Sequence, residues 1–395
     1  MHFSLIMTPG EHVFDEKYYV QDALNILEGK GSAMPEHPPL GRLIIAGGIG
    51  IFGDNPFGWR IFPVLFGAAG LVLMYMICRQ LNLPEKLSLL AVFLLATENL
   101  SFVQSSIAML DVVSVTFILA GFLVYLKGRH ALSGALVGLA MLAKFTGIFG
   151  LAVIGLHWLI TSRKRWLKFG LSMAMAPVVY LAGLPLLLYI IWGKLLNPIT
   201  ETITMLTINF NSTYSFYEQA NMSRPWEWVF GYNIVTYWPE PHYMAVISSS
   251  VWALILPAMV YMLYKARKCS RAAVFSLAWF GGTYLLWIPI SLITDRTSYI
   301  FYFYPAIGTC CLAIAVFLWD ITQRGASSGT GWIRALSPWA VPAYVLLHLA
   351  CFVWLSPVAY PWKLGASLLF YIGVRILFKQ SNEEHAPQSC EVIDS

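Results

Sequence analysis

Charge is what this chain of 395 residues has least of: Asp, Glu, Lys and Arg supply 11% of it, against 58% hydrophobic residues. That scarcity excludes a soluble globular protein and describes a polytopic helical membrane protein. Cysteine is scarce in pattern as well. Cys78, Cys269, Cys310, Cys311, Cys351 and Cys390 show no CxxC and no Cys/His spacing, so neither a disulfide framework nor a zinc site is implied. There is no glycine-rich nucleotide loop, no HExxH and no Ser-His-Asp set, which removes a nucleotide-driven reaction and leaves the lipid phase as the source of any activated substrate. No Lys/Arg block stands apart from the apolar runs, so the net charge of +5 reads as membrane topology, with no nucleic-acid partner. Residues 1–10 have neither the basic n-region nor the apolar length of a signal peptide and cannot cross ~30 Å of hydrocarbon. The amino terminus is therefore expected to be truncated or to begin on the outer side.

Against this background the first 56 residues stand out as polar and acidic. Lys17 to Leu27 alternates Tyr18, Ala23, Leu24 and Leu27 with Gln21, Asp22 and Asn25, which predicts a short amphipathic helix stopped at Gly29 and Gly31. Leu40 to Phe52 follows Pro38-Pro39 and is too short to span, so it is expected to lie along the interface. Full spans are expected near 57–79, 87–106, 109–126, 131–145, 146–161, 167–192, 244–264, 272–293, 299–319, 335–355 and 361–379, with ends uncertain by ~2–4 residues. Basic residues flank 131–161 on both sides, which requires an even number of crossings there, with a break near Lys144-Phe145-Thr146-Gly147. The chain thus divides into an outer juxtamembrane segment (1–56), N-terminal spans (57–192), an outer loop (193–243), C-terminal spans (244–379) and a polar, disordered tail (380–395).

Orientation follows from the cations. Arg79/Lys86, Lys127/Arg129, Arg163 to Lys168, Lys265 to Arg271, Arg324/Arg334 and Arg375/Lys379 fall on one side, which the positive-inside rule makes cytoplasmic. Asp15, Glu16, His37, Asp54, Arg60, Asp111 and the loop 193–243 then share the extracytoplasmic face.

Candidate chemistry gathers on that face. The carboxylates of Asp15 and Glu16 at a helix start are explained by the N-terminal amides and dipole alone. Their setting among Phe14, Tyr18 and Tyr19 at a membrane surface also suits a general base, because partial desolvation raises carboxylate basicity. His37-Pro38-Pro39-Leu40-Gly41-Arg42 reads either as a proline pair opening a helix or as a hydrogen bonder and a cation suited to an anionic oxygen. Arg60 is either an interfacial anchor or part of a site. Asp111, Lys144, Asp295 and Arg296 are ionisable groups near span ends, expensive enough to be functional unless they pair internally, as Asp111 could with Lys144 or Arg60. Arg224-Pro225-Trp226-Glu227-Trp228 centres the outer loop, read as a lid or acceptor-facing element.

Taken in order, Phe14-Asp15-Glu16, the His37 to Arg42 word, Arg60-Ile-Phe-Pro-Val-Leu-Phe-Gly, Val103 to Asp111, Gly138-Leu-Ala to Lys144, Ser223 to Trp228 and Tyr299 to Pro305 resemble the dolichyl-phosphate-mannose protein mannosyltransferase family. The likeness covers roughly residues 9 to 315. It implies an all-α GT-C glycosyltransferase fold of the prokaryotic type, without the large inserted domain of eukaryotic members. It also implies a transmembrane helix before the acidic pair, two juxtamembrane helices, and catalysis on the outer face. Carried over, Asp15 resembles the catalytic base and Glu16 its partner. Arg60, His37 and Arg42, with Lys144 and Arg296, are expected at the donor phosphate and sugar, and Arg224, Trp226 and Glu227 on the acceptor side. The donor is a polyprenyl-phosphate sugar, the acceptor a protein Ser/Thr hydroxyl, and neither metal nor cofactor is called for. A glycolipid or cell-wall acceptor, a lipid or sugar transporter, and an inactive partner subunit are the rival readings.

Overall fold

The computed structural model describes residues 1–358 apart from 162–165, 216–220, 241 and 329–330. The expected last span, the polar tail, and the basic residues Arg163, Lys164, Arg165, Arg375 and Lys379 lie outside the described residues.

Helices account for nearly all regular structure. In chain order they are α1 (His2–Leu5), α2 (Glu16–Leu27), α3 (Leu40–Phe52), α4 (Pro56–Gln80), α5 (Glu85–Ala96), α6 (Asn99–Gln104), α7 (Leu110–Leu126), α8 (His130–Ala143), α9 (Phe149–Thr161), α10 (Trp166–Met173), α11 (Met175–Trp192), α12 (Pro198–Asn211) and α13 (Glu227–Phe230). A hairpin of β1 (Val235–Trp238) and β2 (Tyr243–Ala245) follows. After it come α14 (Ser249–Arg267), α15 (Arg271–Phe280), α16 (Trp287–Thr294), α17 (Tyr304–Ser328), α18 (Gly331–Leu336) and α19 (Ala340–Leu355). Among the described residues six helical stretches are long and apolar enough to cross a membrane: 56–80, 166–192, 249–267, 271–294, 300–325 and 334–355. The protein is a multi-span membrane protein. The stretch 300–325 is the most buried of the six, and α7 packs against α4 and α8.

Two departures from the sequence expectation have clear causes. The span expected at 87–106 is broken into α5 and α6, because the buried Glu98 caps α6 by accepting from Ser101 N at 2.7 Å and also accepts from Ser248 N at 2.8 Å. The loop 193–243 is not a plain lid. Asn197 caps α12 by accepting from Ile199 N and Thr200 N, and the loop ends in the hairpin, whose Tyr243 hydroxyl donates to Thr8 O at 2.8 Å.

Close backbone approach sets the acidic end of the bundle. A Cβ on Gly48 of α3 would stand 2.2 Å from Gly58 O of α4, so only glycine lets these helices cross there. Asn55 opens α4 by accepting from Gly58 N at 3.1 Å, and Pro56 sits in its first turn, where no N–H is needed. Lys144 is extended (φ −158°, ψ 140°) and ends α8. The chain then reverses so tightly that a Cβ on Gly147 would meet the Ala140 carbonyl carbon at 2.3 Å.

Candidate active site

The adjacent carboxylates of Asp15 and Glu16 are sent to opposite tasks. Phe14 adopts φ +53°, a left-handed conformation costing a bulky residue on the order of 1–3 kcal/mol. Its ring is held by a stack on Tyr237 (4.0 Å, 12°) and an edge contact with Phe301 (5.8 Å). The turn places Asp15 at the N-cap of α2 without a side-chain cap bond and Glu16 in the first turn. Since successive helical residues diverge by about 100°, one side chain faces a cavity and the other the interior.

Glu16 is fully buried and fully used. It accepts from Val13 N (2.8 Å), Ala108 N (2.8 Å), and Arg60 Nε (2.9 Å) and Nη2 (2.8 Å). The remaining N–H groups of Arg60 donate to Ile6 O (3.1 Å), Pro9 O (2.8 Å) and Glu11 O (2.9 Å). A guanidinium has five N–H donors, and all of them are spent on the protein. The expectation that Arg60 meets the donor phosphate is corrected here: it is buried and ties the first sixteen residues to α4. Glu16, expected to assist Asp15, is instead its structural neighbour. Arg42 is also buried and tied to the protein, through its two terminal nitrogens, while its Nε has no hydrogen-bond partner among the described residues. Its Nη1 donates to Asp22 Oδ2 (2.6 Å) and to Ser32 Oγ, and its Nη2 donates to His37 O (2.7 Å). Paired with the Asp22 carboxylate and absent from the lining of the Asp15 cavity, Arg42 fixes the backbone that presents His37.

Asp15 opens into a cavity of about 370 Å³. Lys17, His37 and Lys144 bring polar groups to it, Tyr18, Tyr19, Tyr299, Phe301 and Tyr302 form an aromatic wall, and Asn221 reaches it from the loop. Such a volume, with an aromatic, largely tyrosine wall and several convergent polar groups, is that of a small-molecule site for a polar ligand. Burial pushes the Asp15 carboxyl up to about 6, against the pull of Lys144 and with Asp111 adding to the rise. That basicity suits proton abstraction near neutral pH. His37 is held well below its ordinary value, by burial first and then by Lys144, Arg42 and Arg296, so its imidazole is neutral.

Two distant elements bring cations to this region: Lys144, which lines the cavity, and Arg296, which does not line it but packs on Tyr302 of its wall. Lys144 Nζ donates to both oxygens of Asp111 (2.8 and 2.7 Å), which itself sits in the first turn of α7, where a carboxylate is favoured. Arg296 donates to the neutral Asn209 Oδ1 (2.7 Å), and its guanidinium lies 5.8 Å from the Tyr302 ring. Asn209 Nδ2 donates to Glu36 O (2.6 Å), so α12 ties the His37 loop to Arg296.

The residues expected on the acceptor side do not line the cavity. Arg224 Nη2 donates to Asp295 Oδ1 (2.7 Å), and the guanidinium lies 3.7 Å from the Tyr214 ring and 5.9 Å from that of Trp226. Glu227 accepts from Arg224 N (2.9 Å). Together they fasten the loop to the end of α16, and Asn221, nearby in sequence, reaches the cavity in their place. Sequence reasoning also missed the wall at 299–302 as part of the site. Its signal was the run Tyr-Ile-Phe-Tyr-Phe-Tyr at a span end, denser in aromatics than anchoring requires.

Comparisons with known proteins agree with this architecture. The family model described as dolichyl-phosphate-mannose-protein mannosyltransferase matches residues 36–192. The polyprenol-phosphate-mannose–protein mannosyltransferase of Mycobacterium tuberculosis is 25% identical over 444 residues, covering 88% of this chain and 83% of the relative. That of Corynebacterium glutamicum is 24% identical, covering 89% and 85%. Among solved structures, the S. cerevisiae protein O-mannosyltransferase Pmt1-Pmt2 complex bound to the sugar donor superimposes with a TM-score of 0.71 at 15% identity, over 88% of this chain and 87% of that one. ArnT from Cupriavidus metallidurans bound to undecaprenyl phosphate gives 0.58 at 17% identity, over 89% and 69%. These likenesses give the GT-C fold.

Proposed function

We propose, for a chain that is a glycosyltransferase related to the dolichyl-phosphate-mannose protein mannosyltransferases, that it moves mannose from a polyprenyl phosphate to Ser/Thr hydroxyls of proteins on the extracytoplasmic face of the cell membrane. One observation carries the reading. Asp15, the one carboxylate lining the cavity among the described residues, shares it with Lys144 and has its basicity raised by burial. Orientation is supported by the clustering of Lys and Arg in alternate loops, which the positive-inside rule assigns to the cytoplasmic side.

The chemistry is an in-line displacement with inversion. Asp15 takes the proton of the acceptor hydroxyl as that oxygen attacks the anomeric carbon, and the bond from that carbon to the phosphate oxygen breaks. The pair of electrons leaves on the lipid phosphate, already a good leaving group, so neither a general acid nor a cofactor enters the scheme. Lys144 and Arg296 oppose the charge growing on that phosphate. Among the described residues Arg296 donates to a neutral amide and not to a carboxylate, which suits it to this role, one that Arg60 cannot fill. Fixed cations in a sheltered site need no reorganisation during the reaction. A covalent route through a second carboxylate has no support here, since Glu16 is turned away into the protein.

The test is mannose transfer from a polyprenyl-phosphate donor to a Ser/Thr peptide in membranes carrying the wild type or Asp15→Asn. Transfer is expected to collapse in the variant. Near wild-type turnover by correctly inserted Asp15→Asn would remove the base from the scheme, and transfer to a glycolipid but not to peptide would reassign the acceptor.

A further inference from the structure

We infer that a second cavity, at the far end of α7 from Asp15, binds the phosphate of an anionic lipid headgroup. Asp111, the ion-pair partner of cavity-lining Lys144, lies in the first turn of α7, and Tyr125, near its other end and 14 residues on, lines the second cavity. At 1.5 Å per residue the two lie about 20 Å apart across the bundle. The second cavity measures about 360 Å³ and is lined by His130 on α8, His157 on α9, Lys168 on α10 and Arg271 at the start of α15.

Its chemistry is one-sided. Two cations and two imidazoles from four helices converge on it, and among the described residues no carboxylate lines it. The Tyr125 hydroxyl and His157 Nδ1 lie 2.9 Å apart and hold one ring in place. His130 Nδ1 is buried, and among the described residues it has no hydrogen-bond partner. A buried ring nitrogen left without a partner is costly, and an anionic oxygen in the cavity supplies that partner. The Trp158 and Phe169 rings, stacked at 4.4 Å and 1°, close the apolar side. A lipid fits better than free phosphate because Trp166 and Leu167, 67% and 57% exposed, directly precede Lys168 at the start of an apolar helical stretch, and exposed tryptophan beside a cation at a span end is the pattern of a membrane interface. Convergent cations at a membrane surface attract anionic headgroups. The inference does not depend on the transferase reading.

The experiment uses the purified full-length chain in neutral detergent and follows binding of phosphatidylglycerol and phosphatidylcholine by native mass spectrometry. Phosphatidylglycerol is expected to bind preferentially. The exposed pair Lys168→Gln/Arg271→Gln is expected to weaken that binding about thirtyfold, from about fivefold per cation, while Lys86→Gln at the same membrane face leaves it unchanged. Equal binding of the two lipids by the wild type, or equal losses in Lys86→Gln and the double variant, overturns the site. Inorganic phosphate that matches phosphatidylglycerol in raising thermal stability, and that the double variant no longer feels, overturns the lipid source in favour of the free anion.

Discussion

Replacing Arg60 is expected to unfold the acidic end of the bundle, not merely slow the reaction. Arg60→Ala removes five hydrogen bonds at once, two of them to Glu16, and leaves that carboxylate fully buried with only the Val13 and Ala108 amides. Breaking a buried pair by deleting one partner costs about 3–5 kcal/mol, because the surviving charge is uncompensated. For a chain of this length that corresponds to a fall in melting temperature on the order of 5 °C. Thermal unfolding of purified protein in detergent measures it, and a double-mutant cycle apportions it. Glu16→Gln alone is also destabilising, since it strands the guanidinium. Glu16→Gln combined with Arg60→Met is expected to cost less than the sum of the two single changes, because no charge is then left alone. An Arg60→Ala protein with wild-type melting but weakened donor binding would refute this reasoning and return Arg60 to the phosphate.

Asp15→Asn is expected to lower transfer by roughly 10²–10⁴, the usual contribution of a general base, in donor-saturated assays. The same variant is expected to melt no lower than wild type at pH 7. The folded-state carboxyl is raised to about 6, above its ordinary value near 3.8, so its ionisation opposes folding and its stabilising share is lost as pH rises through that interval. The base must be ionised to act, so kcat/KM is expected to rise with pH and level off above about 6; a flat profile from about pH 5 to about pH 7 counts against Asp15. Arg296→Gln is expected to cost about 10²–10³ in turnover with little change in melting, as this side chain is only partly buried and has Asn209 as a neutral partner. Loss of melting temperature equal to that of Arg60→Ala would make it a structural residue instead.

Sequence alone determined the environment and the neighbourhood. So few charges over so many apolar runs left only helices in a bilayer as a solution, because an unpaired backbone polar group in hydrocarbon is prohibitively costly. The distribution of Lys and Arg gave each loop an expected side, and the Phe14-Asp15-Glu16 word, the Lys144 break and Arg296 were legible as places where ionisable residues needed a reason. What the residues do there was decided by tertiary structure. Two adjacent carboxylates are alike in sequence, and only the left-handed turn at Phe14 and the rotation of α2 send Asp15 to the cavity and Glu16 inward. Arg60 and Arg296 are both arginines at span ends. The first is consumed by partners 44 to 54 positions away, and the second donates to the neutral Asn209, 87 positions away, and lies over the Tyr302 ring. Hydropathy records how each residue partitions between water and lipid, whereas these roles depend on which groups packing brings within three ångströms of each other, and that is settled by the fold.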